Sequence, residues 1–160
     1  MNKLTKEEKQ KELEKYRTLN LATLDYYIES SMLKIKTEDF DSDQHYKSLK
    51  PLVEENFEKG RLTRLKQWFR DLTEMMVENE DFEFNKFIKN RTGYDIDIHS
   101  KLKKRIERII KLEKIKTEDE YRDILNIVNN LCQQPTLEKP KLDLLNSMLL
   151  DFDNRIRTKK

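Results

Sequence analysis

Apolar residues recur at alternating intervals of three and four between positions 62 and 76, and this spacing constrains the fold more than any other feature. The seam comprises Leu62, Leu65, Phe69, Leu72 and Met76. Because an α-helix has about 3.6 residues per turn, residues spaced in this way lie on one face. The spacing therefore predicts a helix with one buried side. A second seam of the same kind lies near the C-terminus, at Leu142, Leu145, Leu149, Phe152 and Ile156.

Turn-forming residues are too scarce for a sheet protein of this length. The 160 residues include only two glycines and three prolines, whereas tight hairpins depend on residues such as glycine that accept a positive φ. Shorter apolar stripes at helical intervals occur before and between the two seams. We therefore predict an all-α fold, with residues 1–160 forming a single compact bundle of about six or seven helices.

The N-terminal stretch is highly charged. Thr5 and Glu8 fit a capping box, in which two side chains exchange hydrogen bonds with the backbone at a helix start. Residues 6–17 are otherwise almost entirely charged or polar, with Leu13 and Tyr16 as the apolar exceptions. A helix of this composition has little apolar surface to bury. We predict a charged, loosely packed helix over residues 1–17, with Leu13 and Tyr16 covered by a partner protein.

Aromatic residues beside the predicted packing faces are further candidates for partner contacts. Trp68 directly precedes the seam residue Phe69 and has arginines on both sides, at positions 64 and 70. Because Trp, Tyr and Arg dominate the energetics of protein interfaces, Trp68 is a candidate anchor for a partner. Core packing is the simpler interpretation. Tyr26 and Tyr27 are open to the same two interpretations.

Positive charge is concentrated between positions 101 and 116, where lysines and arginines exceed glutamates by six. On a helical wheel, five of these cations form one continuous stripe beside an apolar face. This basic stripe comprises Lys101, Lys104, Arg105, Arg108 and Lys111. Such a stripe could lie along a nucleic-acid backbone and neutralise its phosphates. The alternative is a solvated face that meets acids elsewhere in the chain, whose net charge is only +2.

A short acidic segment has part of the pattern of a calcium loop. Asp39, Asp41 and Asp43 have the alternate spacing of the first three ligands. However, Gln44 and Lys50 stand where that loop needs its glycine and its glutamate. We therefore predict a solvated loop whose acids stabilise the start of the next helix.

Other residues of chemical interest do not form a convincing site. Asp95, Asp97 and His99 would share one side of an extended strand, but His45 is the only other histidine, so ligands for a metal are too few. Asp97 is equally suited to be the N-cap of the helix that follows. Cys132 has no base beside it, and we predict a buried structural thiol.

The function predicted from these observations is protein binding. No catalytic, metal or cofactor motif is evident, so we predict a non-enzymatic helical module that acts as an adaptor, inhibitor, immunity-type or regulatory factor. The partner is expected to be another protein, and self-association stays open. The absence of a signal-peptide pattern and of an apolar run of about 20 residues predicts a cytoplasmic protein outside the membrane. The competing hypothesis is nucleic-acid binding through the helix around residues 101–111.

Overall fold

The computed structural model describes residues 3–30, 34–133 and 138–159. Within these ranges it contains seven helices and no strand beyond an isolated bridge between Lys36 and Asp41. The helices are α1 (Lys6–Glu29), α2 (Ser42–Glu58), α3 (Leu62–Glu78), α4 (Glu83–Thr92), α5 (Ser100–Leu112), α6 (Glu118–Gln133) and α7 (Lys139–Arg157). The chain is 77% helical, which confirms the predicted all-α class. None of the helices in the described ranges is long and apolar enough to cross a bilayer.

Backbone contacts divide the chain into two compact units, Met1–Ile98 and His99–Lys160. The first unit contains α1 to α4 and the second contains α5 to α7. Each unit has its own apolar core. The prediction of a single domain over residues 1–160 stays a prediction.

The first unit is built around α1, which packs against α2, α3 and α4. One apolar cluster joins Leu13 and Leu24 of α1 to Val53 of α2 and Leu65 of α3. A second cluster joins α1 to the C-terminal half of α3 and to α4 through Leu19, Ala22, Tyr27, Met76, Phe84 and Ile88. The seam predicted over residues 62–76 therefore faces α1, which supplies its packing surface.

Leu13 and Tyr16 are covered by the protein's own side chains. Leu13 is only 5% exposed within the first cluster. Tyr16 is half-buried, and its ring packs edge-on against Phe69 with 5.9 Å between ring centroids. The expectation that these residues lack an internal packing surface is wrong, because α2 and α3 provide one.

The ends of the first helices follow from their sequence. At the start of α1, the Thr5 N–H donates to Glu8 Oε2 (2.7 Å) and the Glu8 N–H donates to Thr5 Oγ1 (3.2 Å), so the predicted capping box is present. Gly93 ends α4 in the left-handed conformation at φ +78°. At the start of α2, the Asp41 carboxylate accepts the backbone N–H groups of Asp43 and Gln44, as predicted for the acidic loop.

The second unit packs α6 against both α5 and α7. Its core contains Ile109, Ile115, Ile124, Val128, Leu131, Leu145, Met148, Leu149 and Phe152. Three residues of the C-terminal seam are therefore buried, whereas Ile156 in the last turn of α7 is 36% exposed. The Arg155 guanidinium reaches back and donates to the Ile115 carbonyl at 2.7 Å, which ties the end of α7 to the segment between α5 and α6.

Candidate functional site

A surface cavity of about 350 Å³ lies where α3 ends and α4 begins. We call it the α3–α4 pocket. It is lined by Ser30, Met75, Met76, Asn79, Glu80, Asp81, Phe82 and Glu83. Its volume is at the lower end of the range of about 300–1,000 Å³ that is typical of ligand-binding pockets. The pocket lies entirely within the first unit, so α1, α3 and α4 hold its walls.

The wall of this pocket is apolar and partly open to solvent. Phe82 is 49% exposed and Met75 is 37% exposed, whereas Met76 is buried in the core beneath them. Phe82 is the N-cap residue of α4, and its backbone N–H donates to the Glu80 carbonyl at 3.0 Å. Exposed aromatic and methionine side chains in one depression are typical of surfaces that bind a partner.

Three acidic residues, Glu80, Asp81 and Glu83, line the same pocket. The Asp81 carboxylate is held on both sides: it accepts the Tyr26 hydroxyl at 2.6 Å and the Phe84 N–H at 3.3 Å. Burial and this contact with Asp81 raise the pKa of Tyr26 well above its ordinary value, so the phenol stays a protonated donor at neutral pH. Glu83 is paired with Lys86 at 2.7 Å, so the rim carries three carboxylates but a smaller net negative charge, and the Asp81 carboxylate is preorganised.

The turn that forms the rim contains a strained residue. Glu80 adopts the left-handed conformation at φ +52°, with its N–H bonded to the Val77 carbonyl, while the Asp81 N–H bonds to the Met76 carbonyl. This is the Schellman pattern, in which glycine is the usual residue. A side chain in that conformation costs roughly 1–2 kcal/mol. The glutamate at this position places a carboxylate at the pocket, and strain of this kind often accompanies binding sites.

The basic stripe is exposed on α5, but its cations differ in their surroundings. Arg105 forms an ion pair with Asp123 of α6 at 2.5 Å, and Arg108 forms one with Glu120 at 3.3 Å. Glu120 is 8% exposed and also accepts the Lys116 N–H at 2.8 Å, so Arg108 belongs to the packing of α5 on α6. The two arginines thus meet acids of their own unit.

The three lysines of the stripe have no such partners. Lys101, Lys104 and Lys111 are exposed, and no ion pair joins them to another residue in the described part of the chain. Solvated lysines of this kind suit either a phosphate backbone or bulk water. Nucleic-acid binding by the stripe therefore stays a prediction.

The candidate aromatic anchors are integrated into the first unit. Trp68 is half-buried against the cluster that contains Leu13 and Leu65. Tyr27 is 5% exposed, and its hydroxyl donates to the Leu72 carbonyl at 2.7 Å. Burial, with a smaller contribution from Tyr46, raises the pKa of Tyr27 to about 12. Packing inside the unit explains both residues, and a role for Trp68 in partner binding stays untested.

Asp95 and Asp97, two of the remaining residues of chemical interest, contact side chains of α4. Asp95 pairs with Lys89 at 3.0 Å, and Asp97 accepts the Asn85 amide at 3.1 Å. Asp97 is not the N-cap of α5, because that helix begins at Ser100 with residue 99 as its cap. Within the described ranges, no group of three or more His, Cys, Asp or Glu side chains could hold a metal.

Cys132 is exposed, so the prediction of a buried thiol is wrong. α6 turns the stripe formed by Ile124, Val128 and Leu131 toward the core. Position 132 follows Leu131 by about 100° around the helix and faces solvent. Adjacency in sequence to a buried leucine was a misleading signal here.

Sequence analysis missed the α3–α4 pocket. The relevant signal was Phe82, which precedes Phe84, Phe87 and Ile88 in a short segment with more large apolar residues than one helical stripe requires.

No protein-family model matches the chain, and no curated protein sequence or solved structure shows significant similarity to it. A function for this protein therefore rests on the chemistry of its own surfaces.

Proposed function

We propose that this protein is a non-enzymatic protein-binding module whose α3–α4 pocket accepts a segment of a partner protein. The observation that carries the proposal is the exposure of Phe82 and Met75 in one pocket whose rim is acidic. Both side chains expose apolar surface to water, and covering that surface with a partner is favourable in free energy. The first unit already covers Leu13 and Tyr16, so the pocket replaces the N-terminal helix as the expected contact surface.

The chemistry of the pocket specifies the partner. Glu80, Asp81 and Glu83 favour a segment that carries lysine or arginine, because complementary charge speeds encounter and excludes acidic competitors. The apolar wall favours one large aliphatic or aromatic side chain as the anchor. Because the Tyr26 hydroxyl already holds Asp81, little ordering of the rim is needed on binding. The partner segment is thus an apolar side chain flanked by basic residues.

Peptide display on the purified protein tests this proposal. Selection from a random library is expected to enrich sequences with one large apolar residue flanked by lysine or arginine. Phe82→Ala should weaken binding of an enriched peptide by about ten-fold or more, since truncation of an anchor residue costs over 1 kcal/mol. Phe40→Ala is the matched control, because Phe40 is 43% exposed in the same unit but does not line the pocket.

Two results would contradict the proposal. One is a selection that enriches no basic and apolar motif. The other is an enriched peptide that binds the Phe82→Ala variant as tightly as the unaltered protein. A Glu80→Gln, Glu83→Gln double variant separates the two contributions: it should weaken binding at low salt and have less effect at high salt, where exposed charges are screened.

Nucleic-acid binding through α5 is the second candidate function, and the three unpaired lysines of the stripe favour it. If it is correct, fluorescence anisotropy with labelled DNA and RNA should show affinity that falls steeply with salt. Lys101→Glu, Lys104→Glu and Lys111→Glu together should abolish that binding without disturbing α6. The control triple variant, Lys6→Glu, Lys47→Glu and Lys139→Glu, changes the net charge equally at other exposed positions. Equal loss of nucleic-acid binding in both triple variants would mean that the net charge of the protein, and not the basic stripe, determines the affinity.

A further inference from the structure

The opposite end of α3 has a second surface cavity, of about 740 Å³, with a different chemical character. We call it the cationic cavity. Four basic side chains line it: Lys3, Lys9, Arg61 and Arg64. They come from the residues before α1, from α1 itself, from the turn after α2 and from the first turn of α3. None of the lining residues is acidic. The fold thus gathers cations that are distant in sequence.

These four cations are not neutralised by the protein. No ion pair joins any of them to another residue in the described ranges. Three of the acids near them in sequence are paired with other lysines, and Glu8 is held by Thr5 in the capping box. Glu7 pairs with Lys11 at 3.0 Å, and Glu12 pairs with Lys66 at 2.8 Å. Glu55 bonds to Lys59, and its pKa is lowered mainly by that lysine and only weakly by Arg61. The positive charge of the cavity is therefore left for an external anion.

The turn after α2 brings together cations from two parts of the chain. Lys9 lies against Gly60, with its ammonium 3.9 Å from the position that a Cβ at residue 60 would occupy. A lysine of α1 thereby reaches the turn that carries Arg61. Thr63 and Gln67, one helical turn apart on α3, add neutral hydrogen-bond donors to the lining. α3 also begins without a side-chain cap and without an acid in its first turn, so its positive dipole end adds to the same field.

We propose that the cationic cavity binds a small molecule that carries two or more phosphoryl groups. Four cations exceed what one carboxylate or one monoanion requires, and guanidinium groups match the geometry of phosphoryl oxygens through paired hydrogen bonds. A volume of about 740 Å³ exceeds the space that a single phosphate fills. The net charge of the whole chain is only +2, so this local concentration is not a reflection of a generally basic protein. The cavity is distinct from the α3–α4 pocket and does not depend on the function proposed for it.

Titration of the full chain with inorganic pyrophosphate in a calorimeter at low ionic strength tests this inference. One pyrophosphate should bind per chain, with affinity that falls as salt is added. Arg61→Gln with Arg64→Gln should weaken binding by about ten-fold or more, because the charge-assisted hydrogen bonds from both guanidinium groups to phosphoryl oxygens are lost. Lys9→Gln is a second variant that alters neither the turn nor α3, and it should weaken binding in the same direction.

The control is Lys47→Gln with Lys139→Gln, which removes the same charge from exposed positions outside the cavity. Absence of binding at low salt, or equal weakening in the control, would overturn the inference.

Vesicles that contain phosphatidic acid distinguish a soluble ligand from a lipid headgroup. Release of vesicle-bound protein by pyrophosphate would support recognition of phosphoryl groups in the cavity. If the protein binds the vesicles but does not bind pyrophosphate, the proposal that the cavity binds a small phosphorylated molecule is wrong.

Discussion

Replacing Phe84 with alanine is expected to lower the free energy of unfolding of the first unit by about 3–5 kcal/mol, because the substitution leaves a cavity in a packed core. Phe84 is 0% exposed. Its ring meets Tyr26 edge-on with 5.2 Å between centroids and packs in the cluster that contains Met76 and Ile88. The same substitution should therefore loosen Tyr26, which holds the acidic rim of the α3–α4 pocket.

Urea denaturation followed by tryptophan fluorescence measures this effect. Trp68 is the only tryptophan and lies in the first unit, so its emission reports that unit. Phe82→Ala, two residues away, is the control: that side chain is 49% exposed, and its loss should change stability by less than about 1 kcal/mol. Phe84→Ala should thus reduce the stability of the first unit, whereas Phe82→Ala should mainly reduce peptide binding. Equal destabilisation by both substitutions would mean that Phe82 is a core residue and not a surface anchor.

Asn20→Asp is expected to have a similarly large effect, lowering the free energy of unfolding by about 3–5 kcal/mol at neutral pH, because it leaves an unpaired buried charge. Asn20 is 0% exposed, and its amide donates to the carbonyls of Tyr16 (2.8 Å) and Leu65 (2.9 Å). A carboxylate has no hydrogen to donate to either carbonyl. The substitution therefore sets a negative charge against two acceptors at the junction of α1 and α3.

The destabilisation should depend on pH in a defined direction. Burial and the two carbonyls raise the pKa of the introduced carboxyl in the folded state above its unfolded value of about 3.9. Relative to the unaltered protein, the variant is then most stable below pH 3.9 and loses stability as the pH rises through the folded pKa. Denaturation midpoints measured relative to the unaltered protein between about pH 3 and pH 7 check this. Asn20→Leu, which introduces no charge, should show no such trend, and a trend shared by both variants would contradict the explanation.

Local patterns in the sequence were sufficient to predict the elements of the fold. The three-four seam over residues 62–76 predicted α3 and its buried side, and Leu65 and Met76 are indeed buried. Thr5 and Glu8 predicted the start of α1, and the acidic run that contains Asp41 was expected to stabilise the start of the next helix. These features depend on contacts within a few residues, which the periodicity of a helix determines. Residues close together in the sequence are therefore sufficient to predict these features.

The candidate surfaces required contacts between distant residues. The charged segment around Leu13 looked unable to pack, but Leu13 and Tyr16 find their packing surface on α2 and α3. Arg105 and Arg108 looked equivalent to their neighbouring lysines, yet acids on α6 pair with them. No property of the α5 segment alone specifies those acids.

The sequence by itself determined the helical class, the start of α1 and the buried face of α3, because these follow from the period of the backbone and from side chains within one turn. Tertiary structure alone decided which apolar side chains stay exposed and which charges stay unpaired. Phe82 and Phe84 are two residues apart, but the turn after α3 leaves one in the pocket and the other in the core. Lys9 and Arg61 meet only because α1 packs against α2 and α3. Exposure and charge pairing depend on three-dimensional neighbours, which a one-dimensional pattern does not specify.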